Sequence, residues 1–135
     1  MSTTQRFNGI LDPDMMFDQR VVIVGVGAVG NNLARIIAGM NPGSLVLVDP
    51  DVVDEENVGP QMYHPGTIDD LKVLACANSL VMDNAVPVPN RAPSPTVNKY
   101  LDMATCVFLC VDSMEARGEI MDYLTREGQQ PVTCK

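Results

Sequence analysis

The chain has 135 residues, 46% hydrophobic and 19% charged, and nine basic against seventeen acidic side chains leave it a net charge of −8. That length holds one domain with a modest core and no second large lobe, and the composition is that of a globular and not a disordered chain. The negative balance repels phosphodiester backbones and anionic lipid headgroups, which argues against nucleic acid and membrane surfaces as partners. No apolar run approaches the roughly 18 residues of a membrane helix, and the N-terminal stretch MSTTQRFNGILDPDMM has no basic-then-apolar signal, so a cytoplasmic location is expected. Cys76, Cys106, Cys110 and Cys134 lack C-x-x-C spacing and read as small apolar core residues in a reducing compartment.

Residues 1–19 precede the first strand and read as an arm or short helix. A β-branched run at 20–24 leads into Gly25, Gly27 and Gly30, spaced G-x-G-x-x-G, and then into a predicted helix over residues 28–40 with Leu33, Ile36, Ile37 and Met40 on one face. Asn41, Pro42 and Gly43 end it. Residues 44–49 form a nearly continuous apolar strand closed by Asp49, as expected for a parallel strand covered on both faces. Residues 50–66 are an irregular acidic loop, of a length usually functional in a compact domain. A helix is predicted from 67 or 68 to 82, with Asp69 and Asp70 in its first turn and Lys72 one turn in. The proline-rich stretch 85–95 allows a short edge strand and then a loop. A brief helix over 96–103, a second buried strand over 105–111, a helix over 114–126 and a strand beginning within 131–134 complete the chain. This alternation predicts a Rossmann-like, mostly parallel α/β sheet with helices on both faces, folded as a single domain.

Ligands of such sheets bind beyond the carboxyl ends of the strands, so the loops after Val24, Val48 and Val111 are expected to share one site. In the glycine turn, Gly25 takes the tight turn, Gly27 lets a phosphate approach the backbone, and Gly30 allows close helix-sheet packing. Asp49 stands about 20 residues on, where a carboxylate accepts the hydroxyls of a ribose. Asp51 shapes the loop or holds a metal-bound water. Asn57 offers an amide to a phosphate or else closes a local Asx-turn. Lys72 neutralises polyphosphate charge or pairs with acids in solvent. Asp112, at a strand's carboxyl end, suits Mg²⁺ on a triphosphate, the alternative being an N-cap shared with Ser113, and Arg117 is a candidate to orient it. His64 reads as a loop histidine in preference to an acid-base catalyst.

In order and separation, G-x-G-x-x-G, D-P-D, N-V-G-P-Q, L-K-V-L-A and C-V-D-S-M-E-A-R make residues 20–126 resemble the adenylation domain of the ubiquitin-activating (E1-like) superfamily, the group including ThiF, MoeB and HesA. The resemblance implies binding of ATP with Mg²⁺ and activation of the C-terminal carboxylate of a ubiquitin-like or sulfur-carrier protein as an acyl-adenylate, in a homodimer or an E1-like heterodimer. It also implies roles: Gly25, Gly27 and Gly30 border the phosphates, Asp49 takes the ribose, Asn57 and Lys72 contact phosphates, and Asp112 is the magnesium ligand.

Three departures stand out. The usual N-x-x-R-Q reads Asn57, Val58, Gly59, Pro60, Gln61, so a proline replaces the phosphate-binding arginine, and losing one preorganised donor of that kind costs on the order of 10²–10³ in rate. The family's N-terminal arginine falls on Arg6, with Gly9 the competing register. The chain also stops at Lys135 inside what resembles the next strand, which reads as a C-terminal truncation. The alternatives are therefore a non-catalytic E1-like partner subunit and, from the glycine turn and Asp49 alone, a fragment of an NAD-dependent dehydrogenase.

Overall fold

The computed structural model describes residues 13–126 and 133–134. Its elements, in chain order, are α1 (Pro13–Phe17), β1 (Arg20–Val24), α2 (Ala28–Gly39), β2 (Ser44–Val48), α3 (Lys72–Asn78), β3 (Val86–Val88), α4 (Pro95–Met103), β4 (Cys106–Leu109), α5 (Met114–Leu124) and β5 (Thr133–Cys134). The strands form one five-stranded sheet in the order β3-β2-β1-β4-β5, and every pairing is parallel. Of the anticipated arm, only α1 and the residues leading to β1 are described, so Arg6 and Gly9 lie outside the described residues.

The period of two along β1 and β2 divides the core. Val21, Ile23, Leu45 and Leu47 face α2 and α3, whereas Val22, Val24, Val46 and Val48 face α4 and α5. Both faces of these two strands are thus buried, which explains their unbroken apolar runs. The order reverses at β1, so the chain leaves β1 and β4 toward opposite faces and opens a crevice at their carboxyl ends.

Four details differ from expectation. On α2 the buried residues are Gly30, Asn31, Ala34, Ile37 and Ala38, while Ile36 is 63% exposed. The cause is Gly30, whose missing Cβ would lie 1.7 Å from the Gly25 carbonyl oxygen; that contact sets the helix's rotation and turns a stripe of small side chains to the sheet. The helix predicted from 67 or 68 to 82 is confined to Lys72–Asn78. Residues before it are held extended against the acidic loop: the Val53 N–H donates to Asp70 O at 2.8 Å, Asp69 N–H to Val53 O at 2.8 Å, and Val52 bridges Leu71. Asp69, at φ +76°, sits in the left-handed region where a helix cannot start. Asp69 and Asp70 therefore precede α3 and are not in its first turn. On β4 only Val107 is fully buried, so the strand is less enclosed than its apolar run implies.

Candidate nucleotide site

A cavity of about 520 Å³ opens at the carboxyl ends of β1, β2 and β4, and all three loops expected to meet there border it. Gly25 leaves β1 at φ +94°, and a Cβ on it would lie 2.7 Å from the Cys110 carbonyl oxygen. Gly25 N–H donates to Val48 O and Cys110 N–H to Val24 O, each at 2.7 Å, so the neighbouring strands grip the turn. Gly27 is the N-cap of α2 and no side chain caps the helix, leaving its first N–H groups to solvent or a ligand.

Asp49 is 92% buried by its surroundings and spans turn and loop: Oδ2 accepts from the Val26 N–H at 3.0 Å and Oδ1 from the Asp51 N–H at 2.9 Å. The Val26 carbonyl accepts in turn from the Tyr63 hydroxyl at 2.6 Å. Both main-chain polar groups of this turn residue are thereby tied by side chains from distant positions. Burial, reinforced by the neighbouring Cys76 and Asp49, raises the Tyr63 phenol well above its ordinary range. The Cys76 thiol is likewise pushed up by burial, to about 12, and the Cys110 thiol is raised by the same cause. Cys76 and Cys110 are not in disulfides, and Cys76 is buried as expected.

Lys72 is 7% exposed and lines the cavity. It is the first residue of α3 and not one turn in; its N–H donates to Asp51 O at 3.0 Å, the last rung of the clasp between residues 51–53 and 69–72. Among the described residues the only ion pairs are Arg91 with Glu119 and Arg126 with Asp102, so no carboxylate of the described residues lies within 4 Å of the Lys72 ammonium. Sequence position left it open between a solvent lysine and a site cation. The residue is largely buried and pairs with no acid among the described residues.

The structure brings Gly25, Gly27, Asp49, Asp51, Lys72 and Asp112 to the cavity and leaves two expected residues off its wall. Gly30 acts from behind, through its contact with Gly25. Asn57 closes a short 3₁₀ turn at Glu55–Asn57: its Oδ1 accepts from the Asp54 N–H at 2.8 Å, while the Asp54 carboxylate accepts from the Glu56 N–H at 3.0 Å. That is the local capping alternative. Asp112 is exposed at the rim, and Ser113 caps α5 by accepting from the Ala116 N–H at 3.2 Å. Arg117 does not orient Asp112; its Nε donates instead to the carbonyl of Val111, in the loop between β4 and α5, at 2.8 Å. His64 is an exposed loop residue whose Nδ1 accepts from the Gly66 N–H at 2.9 Å.

Three residues given no role by the sequence complete the site. Asn31, fully buried on α2, donates from Nδ2 to the Gln61 carbonyl at 2.7 Å and so pulls the acidic loop over the glycine turn. Gln61 lines the cavity with its side chain against Gly27, and its Oε1 is buried without a donor among the described residues. A polar residue on the inward stripe of α2 was the available signal for Asn31. Arg91 also reaches the cavity, from the proline-rich segment after β3, where no motif marks it.

Comparison with known proteins agrees with this geometry. The chain is 30% identical over 129 residues to ubiquitin-like modifier-activating enzyme 5 of Drosophila simulans, a match covering 84% of this chain and 32% of that protein. It is 30% identical over 118 residues to the SAMP-activating enzyme E1 of Haloferax volcanii, covering 84% of this chain and 44% of that one. Among solved structures, the tRNA N6-threonylcarbamoyladenosine dehydratase TcdA of E. coli superposes with a TM-score of 0.81 at 22% identity, over 96% of this chain and 59% of that one, a likeness of fold. The chain thus spans less than half the length of these two curated relatives. The ThiF family matches residues 5–134, nearly the whole chain, and with the parallel sheet, the glycine turn and the cavity at its switch point this means that the chain belongs to the ThiF family.

Proposed function

We propose that this domain binds ATP and adenylates the C-terminal carboxylate of a ubiquitin-like or sulfur-carrier protein. The observation that carries the reading is Lys72: a largely buried lysine that lines the cavity beside an uncapped helix N-terminus, with no acidic partner among the described residues, offers its charge to a multiply charged anion. Asp49 at the end of β2 suits the ribose, since each oxygen already accepting one main-chain N–H retains a second lone pair. Among the described residues no cluster of three or more His, Cys, Asp or Glu could by itself hold a metal. That fits Mg²⁺, which is usually held by one or two carboxylates together with substrate phosphates; Asp112 would be the protein ligand, and the ion would offset charge on the triphosphate.

In the reaction, an oxygen of the incoming carboxylate bonds to the α-phosphorus as the bond to the bridging oxygen breaks, giving an acyl-adenylate and pyrophosphate. No protein nucleophile is required. The domain's contribution is positioning and charge neutralisation, with Lys72 and the first N–H groups of α2 as the donors available to the phosphates. Carrier-dependent exchange of pyrophosphate into ATP tests the reading; its absence with every cognate carrier would sink it.

Pro60 favours a second reading, a partner subunit that binds nucleotide without adenylating. Pro60 supplies no guanidinium at this position. Exchange that appears only when an arginine-bearing partner is added would select it. Calorimetry with ATP and NAD side by side separates both from a dehydrogenase fragment, because a preference for NAD would overturn them.

A further inference from the structure

The cavity has two unlike halves, divided by the faces of the sheet. Toward α2 and α3 lie the glycine turn and Lys72, while toward α4 and α5 the apolar Val24, Val48, Ala92, Val111 and Ala116 lie beside the polar Asn90, Ser113 and Glu115. This second half has two walls, the segment 90–92 after β3 and the first turns of α5. Arg91 on the first wall donates from Nη2 to Glu119 Oε2 on the second at 2.9 Å.

This pair is a poor stabiliser. Its side chains are 66% and 40% exposed, and solvent-screened pairs of that kind contribute little to folding. Resting on the nucleotide reading above, we infer that Arg91, steered by Glu119 across the mouth of this second half, is the residue that recognises the purine base. Phosphates at Lys72 and the glycine turn, with ribose at Asp49, leave the base in the half that Arg91 borders. A guanidinium packs its plane on an aromatic face while its edge keeps a carboxylate, and Glu119 limits the rotamers that must be ordered on binding. A phosphate contact is the poorer assignment, because Glu119 already offsets the Arg91 charge and Glu115 on the same helix also lines the cavity.

Equilibrium binding of ATP, adenosine and inorganic tripolyphosphate to the full chain and its variants tests this. Arg91→Ala is expected to weaken ATP and adenosine by the same factor, about threefold to thirtyfold, and to leave tripolyphosphate unchanged. Glu119→Gln should produce a smaller parallel loss. Because the pair is exposed, urea midpoints of both variants should match that of the parent. A loss for ATP and tripolyphosphate without one for adenosine would assign Arg91 to phosphate and overturn the inference, as would full recovery of adenosine binding by Arg91→Lys. Unchanged binding in Arg91→Ala while the parent binds ATP defeats this inference alone, whereas a parent chain that binds neither ATP nor adenosine defeats the nucleotide reading and this one with it.

Discussion

The glycine turn at residues 25–30 and the loop at residues 50–71 border one cavity and are built in opposite ways. The turn is short, and its shape follows from what is missing: no Cβ at Gly25 or Gly30, so the chain passes within contact distance of Cys110 and of itself. The loop is long, and its shape follows from what is added, a local bond between Asp54 and Asn57 and a set of bonds between residues far apart: Val53 with Asp69 and Asp70, Asn31 with Gln61, and Tyr63 with Val26. A turn made by subtraction fails all at once when an atom is restored. A loop made by addition loses stability in increments.

That contrast predicts a graded set of effects. Gly30→Ala should be the most severe, because its Cβ would lie 1.7 Å from the backbone oxygen of Gly25 and only movement of α2 relieves it; a loss of about 3 kcal/mol or more is expected in urea unfolding. Gly59→Ala, in the loop at φ +87° with open space around it, should lose only about 1 kcal/mol, and equal losses at the two positions would erase the distinction.

Lys72→Ala should separate binding from folding. Tripolyphosphate and ATP affinity should fall steeply, with pyrophosphate exchange reduced on the order of 10²-fold, while the urea midpoint changes little because no ion pair among the described residues is lost with the ammonium. A variant that keeps ATP binding but unfolds readily would instead make Lys72 part of the loop's scaffold. Asn57→Ala should lose about 1 kcal/mol as its turn frays, with nucleotide affinity unchanged if its amide only caps.

An effect of the same small size, with a pH dependence of its own, is expected at Tyr63. Tyr63→Phe removes the donor to the Val26 carbonyl and should lose about 1 kcal/mol near neutral pH. Its folded-state pKa is raised, so the stabilisation linked to it is full below the unfolded value of about 10 and falls as pH rises beyond it, when the unfolded chain ionises first. Alkaline unfolding curves of the parent should show this loss. Those of Tyr63→Phe should show less of it, the remainder coming from Cys76, whose thiol is raised in the same sense.

What was legible in the sequence follows the same division. The positions of the elements from β1 to β2, the glycine turn and Asp49 are encoded in local patterns, apolar runs and glycine spacing, although the face that α2 turns to the sheet is set by the Gly30 contact and not by its apolar periodicity. The start of α3 differs from its sequence pattern because apolar periodicity continues through Ile68 and Leu71, while bonds to residues 51 and 53 hold that segment extended. No local signal carries such a pairing. For Asn57 the residue type allowed either a phosphate contact or a cap, and only the 2.8 Å bond to Asp54 distinguishes its present engagement. Arg91 was invisible for a related reason, since its place in the cavity depends on where β3 pairs in the sheet.

Strand β3 has a consequence for how copies of this chain meet one another. Val88 turns its carbonyl inward, accepting the Asp49 N–H at 3.3 Å, so the intervening Pro87 directs its main chain to the open side, where proline has no hydrogen to offer. The outer margin of the sheet is three residues long and lacks the donor in its middle. Such a margin is a poor template for stacking foreign strands, which protects a chain rich in β-branched runs from growing into fibrils along that side.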